Sequence, residues 1–241
     1  MGRWSLATLL SLGLVTAAAA PLALAADGGQ STGPMHRYLA LGDSYTIGQS
    51  VDPLARWPVQ LAAAVSSQGW VCAQPLIIAR TGWTTSELSA ALHEQAPHGP
   101  FDLVTLLIGV NDQYRGYDLA TFQAALTPLL RDAIALAGGQ AGHVVVLSIP
   151  DWGVTPFAAG QDRAAISASI TSFNALAAQA VRSCGAHWVD ITPLSRDLAG
   201  GDQIAGDGLH PSGAMYARWV AATAPVVLGI VLPTPATTHP R

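Results

Sequence analysis

The chain has 241 residues, of which 50% are hydrophobic and 11% are charged, so it has enough apolar side chains for one substantial core. Its formal net charge is −4, and Lys and Arg residues form no cluster. These features predict a single folded domain and argue against a nucleic-acid-binding protein, which needs basic groups to neutralise phosphates.

The N-terminal segment has the layout of a cleaved export signal. Arg3 precedes an apolar run, and small residues around Ala25 come shortly before Asp27. A retained membrane anchor is the alternative, but the core of this run is shorter than the roughly 20 residues that a span needs. A second apolar stretch, residues 221–232, is also too short. The sequence therefore predicts a secreted or periplasmic protein whose mature chain has no transmembrane span.

Composition divides the chain into four parts. Residues 1–26 form the predicted export signal, and residues 27–36, rich in Gly, Ser and Gln, are typical of a mobile leader. The folded domain is predicted over residues 37–232. Pro and Thr dominate residues 233–241, which predicts a loose tail.

Within the predicted domain, apolar runs of strand length alternate with longer helix-like segments. The predicted strands are Tyr38–Leu41, Leu76–Ala79, Leu103–Leu107, Val144–Ile149 and Trp188–Ile191. The predicted helices are Leu54–Ser67, Thr84–Glu94, Leu119–Ala137, Arg163–Arg182 and Ser212–Ile230. Continuous apolar strands need helices on both faces, so the pattern predicts an α/β fold with a five-stranded, mainly parallel, doubly wound sheet.

A polar segment follows each predicted strand. The segments are Gly42-Asp43-Ser44, Gly82, Gly109 to Asp112, Pro150 to Trp152 and Asp207 to His210. In a doubly wound sheet, functional groups gather beyond the carboxyl ends of the strands. We therefore expect all five segments at one rim of the sheet.

Ser44 becomes a candidate nucleophile if a histidine can take its proton and a carboxylate can orient that histidine. Five of the seven histidines are poor candidates, because they lie in the leader, in or after a helix, in the tail, or before a strand with no acid nearby. They are His36, His93, His98, His143 and His239. His187 and Asp190 point to opposite faces of a predicted strand. Asp207 and His210 lie in a glycine-containing loop that can fold back, so the carboxylate can reach Nδ1 and leave Nε2 free. The alternative is that these polar segments only form turns and helix caps.

Acyl chemistry also needs donors that point at a developing oxyanion. Gly82 can present an unobstructed backbone N–H, and Asn111 can offer a side-chain amide. The alternative for Gly82 is that it only forms a turn, and the alternative for Asn111 is that it only stabilises its loop.

The order and spacing of these groups resemble the SGNH/GDSL hydrolase superfamily. The matching residues are Ser44 in GDSYTIG, Gly82 in RTGWTT, Asn111 in GVND and His210 in DGLHPS, within a match over about residues 38–230. The resemblance implies a three-layer α/β/α fold and a Ser-His-Asp arrangement with Asp207 just before His210. It also implies an oxyanion hole formed by the Ser44 and Gly82 backbone N–H groups and the Asn111 amide.

Aromatic residues near this rim are candidates for substrate contact. Tyr45 stands where many relatives have Leu, beside the nucleophile, so it bears on the acyl pocket. Trp83 and Tyr114 adjoin the predicted oxyanion donors, and Trp152 follows the fourth strand. Arg115 is predicted to face water.

Other chemistries lack their motifs. The sequence contains no G-x-S-x-G elbow, no H-E-x-x-H or Cys/His cluster, and neither glycine-rich nucleotide motif. We therefore expect no metal and no cofactor.

Together these features predict an exported carboxylic-ester hydrolase that acts on a small-molecule, lipid or carbohydrate ester and is a monomer by default. A carbohydrate O-acetyl esterase or a lysophospholipase would use the same chemistry. The alternative outside the enzymes is a binding module that has no catalytic activity.

The two cysteines, Cys72 and Cys184, first suggest a disulfide in an exported protein. The expected flavodoxin-like strand order 2-1-3-4-5 places the second and fifth strands at opposite edges, roughly 19 Å apart. A disulfide needs Cα atoms within about 7 Å. The topology therefore disfavours the bond.

Overall fold

Five parallel strands form the centre of the fold. The computed structural model describes residues 35–199 and 201–232. The strands are β1 (Tyr38–Gly42), β2 (Leu76–Ala79), β3 (Leu103–Leu107), β4 (Val144–Leu147) and β5 (His187–Val189). The α-helices are α1 (Ser44–Ile47), α2 (Trp57–Ser66), α3 (Thr85–Gln95), α4 (Val110–Tyr114), α5 (Leu119–Leu136), α6 (Arg163–Ser183), α7 (Thr192–Arg196) and α8 (Gly213–Val231). The predicted export signal, all but the last two residues of the predicted leader, and the predicted tail lie outside the described residues.

The strand order is β2-β1-β3-β4-β5, and every pairing is parallel, which confirms the predicted sheet. Ala40 of β1 lies opposite Ile77 of β2 and Thr105 of β3. All residues of β1 and β3 are buried, as expected for central strands that are covered on both faces.

Helices cover both faces of the sheet. α2 and α8 pack against each other on one face, whereas α5 packs between α3 and α6 on the other. The largest fully buried side chains include Trp57 and Trp219 in the first layer and Phe122 in the second. This arrangement confirms the three-layer α/β/α fold.

Three short helices were not predicted. α1, α4 and α7 have four or five residues and begin just beyond the carboxyl ends of β1, β3 and β5. Helices this short show no hydrophobic period that a sequence reveals. The predicted fourth and fifth strands were also too long by two residues at their carboxyl ends, where β4 ends at Leu147 and β5 at Val189.

Two sequence-based expectations concern the edges of the fold. His36, placed by composition in the leader, forms backbone hydrogen bonds with Val71 and Ala73 and so extends the ordered chain before β1. Cys72 and Cys184 precede β2 and β5 at opposite edges of the sheet, and both thiols are free.

Among residues 35–199 and 201–232, two helices, α6 and α8, are long and apolar enough to cross a membrane by length and composition alone. Both pack against the rest of the fold through buried side chains, such as Phe173 of α6 and Trp219 of α8. Core helices of soluble proteins have the same properties.

Candidate active site

A cavity of about 240 Å³ opens at the carboxyl ends of the strands. The residues that line it are Ser44, Tyr45, Gln49, Thr81, Gly82, Val110, Asn111, Tyr114, Trp152, Phe157, Leu209 and His210. All five polar segments that the sequence placed at one rim contribute to this lining. Four of them contribute side chains, and the segment after the second strand contributes Gly82, which has none.

Ser44 is the first residue of α1, directly after β1. Gly42 permits this sharp strand-to-helix connection, because a Cβ at that position would lie 2.4 Å from the Leu107 carbonyl oxygen and closer still to Thr46. Asp43 then caps the helix with its side chain, which accepts a hydrogen bond from the Tyr45 N–H at 3.0 Å. The connection therefore places the Ser44 hydroxyl at the cavity.

His210 and Asp207 pair as the sequence predicted. Asp207 Oδ2 lies 2.7 Å from His210 Nδ1, and Asp207 Oδ1 accepts the backbone N–H groups of Leu209 and His210 at 2.9 Å each. Ser50 Oγ donates to Asp207 Oδ2 at 2.6 Å. Burial alone would raise the pKa of Asp207, but the hydrogen bonds from Ser50, from the two N–H groups and from the ring hold that pKa well below its usual range. Asp207 is therefore a charged partner for the ring.

His210 Nδ1 faces the carboxylate, so Nε2 is the ring atom left to exchange a proton with another group. Ser44 and His210 line the same cavity, although no hydrogen bond joins their side chains. Such bonds often tighten only when substrate binds. The Tyr45 ring packs edge-on against His210, with ring centroids 5.6 Å apart. Tyr45 therefore supports the imidazole as well as lining the cavity.

Gly82 and Asn111, the other two predicted oxyanion donors, line the same cavity as Ser44. Gly82 has a φ of +84°, a left-handed conformation that glycine adopts without strain. Asn111 Nδ2 donates one hydrogen to the Trp83 carbonyl at 2.9 Å, which fixes the orientation of the amide. A side-chain amide nitrogen carries two hydrogens, so one remains for a ligand.

An aromatic wall completes the cavity. The rings of Tyr114, Trp152 and Phe157 lie 5.5 to 6.3 Å apart between centroids, and the Trp152 indole N–H donates to Gln113 at 2.9 Å. Tyr114 is 56% exposed and Phe157 is 43% exposed, so both rings face the mouth.

One predicted substrate contact is not at the cavity. Trp83 does not belong to the cavity lining, and its side chain packs against the hydrophobic core. In a turn, the side chain of one residue can point away from the direction in which the N–H of the preceding glycine points. Being adjacent to Gly82 in sequence therefore does not place the Trp83 side chain in the cavity. The Trp83 backbone nevertheless belongs to the site, since its carbonyl holds Asn111.

Among residues 35–199 and 201–232, no group of three or more His, Cys, Asp or Glu side chains is arranged so that it could hold a metal ion.

The capping carboxylate beside the nucleophile is an unusual buried acid. Asp43 is fully buried, and its Oδ2 atom makes no hydrogen bond. Burial is the main cause that raises the pKa of Asp43 to about 8, so the folded protein keeps this group largely protonated at neutral pH.

This buried acid makes stability depend on pH. An unfolded chain loses the Asp43 proton near the ordinary pKa of 3.8, so stability falls as the pH rises from about 4 to about 8, by up to roughly 1.4 kcal/mol per pH unit. Asp43→Asn keeps a good helix cap and removes the ionisable group. We expect urea unfolding to show a clear gain in stability for the variant at about pH 8.5 and a much smaller difference at about pH 5.

Asp162 offers a matched control, because its exposed side chain caps α6 through the same kind of bond, from the Ala165 N–H at 3.0 Å. Asp162→Asn should change stability by a similar small amount at both pH values. Parallel stability curves for wild type and Asp43→Asn across this pH range would contradict the buried-acid interpretation.

A family profile and several solved structures match this chain. A sequence profile of the GDSL-like lipase/acylhydrolase family matches residues 40–218. A comparison with curated proteins gives no match.

Several solved structures share the fold. TesA is 20% identical, with a TM-score of 0.63 over 81% of this chain and 99% of its own. The lipase/acylhydrolase from Enterococcus faecalis is 21% identical, with a TM-score of 0.62 over 84% of this chain and 100% of its own. Axe2, an acetylxylan esterase from Geobacillus stearothermophilus, is 19% identical, with a TM-score of 0.61 over 80% and 94%.

At these identities the solved structures support the fold, whereas the family profile extends over most of the described chain and includes both the Ser44 and the His210 segments. The protein therefore belongs to the GDSL-like lipase/acylhydrolase family and is an ester hydrolase.

Proposed function

We propose that the protein hydrolyses carboxylic esters through an acyl-serine intermediate. The observation that carries the proposal is the 2.7 Å contact between Asp207 Oδ2 and His210 Nδ1, in a loop whose histidine lines the same cavity as Ser44. A histidine held in this way can accept a proton at Nε2, and a serine beside such a base becomes a nucleophile.

In the first half of the reaction, Ser44 Oγ attacks the acyl carbon and His210 Nε2 takes the hydroxyl proton. The carbonyl oxygen becomes an oxyanion that accepts hydrogen bonds from the Ser44 and Gly82 N–H groups and from Asn111 Nδ2. The Ser44 N–H suits this role because the first N–H groups of a helix have no partner within the helix. The intermediate then collapses, and His210 gives its proton to the leaving alcohol.

In the second half, a water molecule attacks the acyl-serine while His210 Nε2 takes a proton from it. A second oxyanion forms in the same hole and collapses, the carboxylic acid leaves, and His210 returns the proton to Ser44 Oγ. Asp207 stays ionised throughout and stabilises the imidazolium that forms in each half, since its pKa lies well below the usual range.

The cavity favours a neutral ester with a short acyl group. Within the described chain, the lining includes no Asp, Glu, Lys or Arg side chain. A lysophospholipid would bring an anionic phosphate, for which this lining offers no cationic partner. The cavity volume of about 240 Å³ lies below the roughly 300–1,000 Å³ of typical ligand pockets, which favours a small acyl group. O-acetyl esters of carbohydrates meet both conditions and remain an alternative substrate class.

Two measurements test the proposed function. A fluorophosphonate probe should label the wild-type enzyme at Ser44, and a series of p-nitrophenyl esters should give the highest kcat/KM between acetate and hexanoate. We expect kcat/KM to fall by at least roughly tenfold at dodecanoate, because the longer chain overfills the cavity. A folded enzyme that the probe leaves unlabelled would instead indicate a binding module.

Export, the leader at residues 27–36 and the tail at residues 233–241 remain proposals from the sequence, because the described residues include only the last two of the leader and none of the export signal or the tail. The monomeric state and the absence of a membrane span in the mature chain are likewise proposals from the sequence.

A further inference from the structure

The loop that carries Gly82 is held by side chains from other parts of the chain. We call residues Thr81–Trp83 the oxyanion loop. Thr81 Oγ1 donates to Gln49 Oε1 at 2.5 Å, Arg115 Nη2 donates to the Gly82 carbonyl at 2.6 Å, and Asn111 Nδ2 donates to the Trp83 carbonyl at 2.9 Å. Each of the three residues therefore has its own restraint.

Two of these restraints come from one helix. Asn111 lies in α4 and Arg115 caps its C-terminus, with a bond from the Arg115 N–H to the Asn111 carbonyl at 3.0 Å. Residues four apart on a helix share a face, so both side chains reach the oxyanion loop together. α4 thus supplies one proposed oxyanion donor and a clamp on the loop that supplies another.

Arg115 is itself anchored on the far side of the loop. Its two terminal nitrogens lie 3.3 Å and 3.2 Å from the two carboxylate oxygens of Glu87. Glu87 belongs to the first turn of α3 and also accepts the Thr84 N–H at 2.7 Å in a capping box. The guanidinium therefore bridges α3 and the Gly82 carbonyl.

This restraint matters because Gly82 is the residue with the most backbone freedom in the loop. It adopts a φ of +84° and has no Cβ to limit rotation about its backbone bonds. The Gly82 N–H and the Gly82 carbonyl belong to adjacent peptide groups that meet at the Gly82 Cα, so the bond from Arg115 holds the second group and limits the concerted backbone rotations that would turn the N–H away from the cavity. Fixed donors are what an oxyanion hole requires, since their value depends on orientation before the reaction begins.

We propose that Arg115, anchored by Glu87, is a positioning residue that holds the Gly82 N–H in its oxyanion-binding orientation. The proposal rests on the proposed function, in which Gly82 is an oxyanion donor. The side chains of Arg115 and Glu87 are 41% and 45% exposed, and exposed ion pairs add little to stability. The contribution of Arg115 therefore falls on kcat rather than on the free energy of unfolding.

Kinetics of variants separate this role from two others. Arg115→Ala should lower kcat by about 10- to 100-fold with KM within about twofold, because small misplacements of catalytic groups cost rates of this order. Glu87→Gln keeps an acceptor for the Thr84 N–H and should cost less, and Arg115→Lys should restore part of the loss. A rise in KM at constant kcat would instead assign Arg115 to substrate binding, and a loss of activity that only follows the folded fraction would assign it to stability. Either result overturns the proposal.

Arg37 provides a matched control at the other end of the sheet. It precedes β1, and its guanidinium donates to loop carbonyls, including that of Pro100 at 2.8 Å, far from the cavity at the carboxyl ends. Arg37→Ala should leave kcat per folded molecule near the wild-type value.

A second readout does not depend on activity. The Trp83 N–H donates to the Arg80 carbonyl at 3.2 Å, so its hydrogen exchange reports on the order of the oxyanion loop. Exchange of this amide, followed by NMR, should be faster in Arg115→Ala and unchanged in Arg37→Ala. Unchanged exchange in Arg115→Ala overturns the clamp even if the enzyme is active. Faster exchange in a protein that hydrolyses no ester would retain the clamp and reject the proposed function.

Discussion

Ser44→Ala should abolish ester hydrolysis almost completely, with kcat lower by about 10⁵- to 10⁶-fold, because the variant has no atom that can form the acyl intermediate. Asp207, His210 and the oxyanion donors remain in place, so substrate should still bind with a KM or dissociation constant near that of wild type. The measurement is the steady-state rate with p-nitrophenyl acetate, together with mass spectrometry of enzyme treated with the fluorophosphonate probe.

The control for this variant is Ser172→Ala. Ser172 lies on the exposed side of α6, where its hydroxyl donates to the Ala168 carbonyl of its own helix. This variant should keep wild-type kinetics and full labelling. If Ser44→Ala kept activity within about tenfold of wild type, another group would have to be the nucleophile and the mechanism above would be wrong.

Asn111→Ala should have the second-largest effect. Losing one oxyanion donor typically lowers kcat by about 10²- to 10³-fold, or roughly 2.7–4 kcal/mol of transition-state stabilisation. Because the donor acts on the oxyanion more strongly than on the ground-state carbonyl, KM should change little. The experiment measures kcat, KM and thermal stability on one preparation.

Asn111 also braces the Trp83 carbonyl, so the control must share that structural role. Asn174 has the same role, because its side chain forms hydrogen bonds with both the N–H and the carbonyl of Ile149, at 2.8 and 2.9 Å. Asn174→Ala should lower the melting temperature and leave kcat per folded molecule near wild type. A stable Asn111→Ala enzyme with nearly full kcat would remove Asn111 from the mechanism.

Much of this architecture follows from local patterns that the sequence displays. Each strand is a short apolar run, and in a parallel sheet the polar residues after such runs reach one rim. Asp207 and His210 lie only three residues apart, so their pairing depends on a single loop. These features depend on neighbouring residues, and the structure places them as expected.

The contacts that escaped prediction join segments far apart in the chain. Ser50, which holds Asp207, is 157 residues away from it and sits in a left-handed turn conformation that no sequence pattern signals. Phe157 reaches the cavity from a short 3-10 helix, Pro156–Ala158, whose path depends on the packed fold. Arg115 is exposed, as expected, but its guanidinium also donates to the carbonyl of Gly82, which is 33 residues away. Nothing in the sequence indicated this bond, because the short helix α4, which brings Arg115 to the oxyanion loop, was itself not predicted.

The free thiols at opposite edges of the sheet have a practical consequence for the redox conditions under which this enzyme can be made. No covalent cross-link closes the fold, and burial raises the pKa of the Cys72 thiol to about 11, which keeps its reactive thiolate scarce at neutral pH. We therefore expect folding to need neither an oxidising compartment nor a disulfide isomerase. Production in a reducing cytoplasm should give enzyme with the same kcat and KM with or without dithiothreitol.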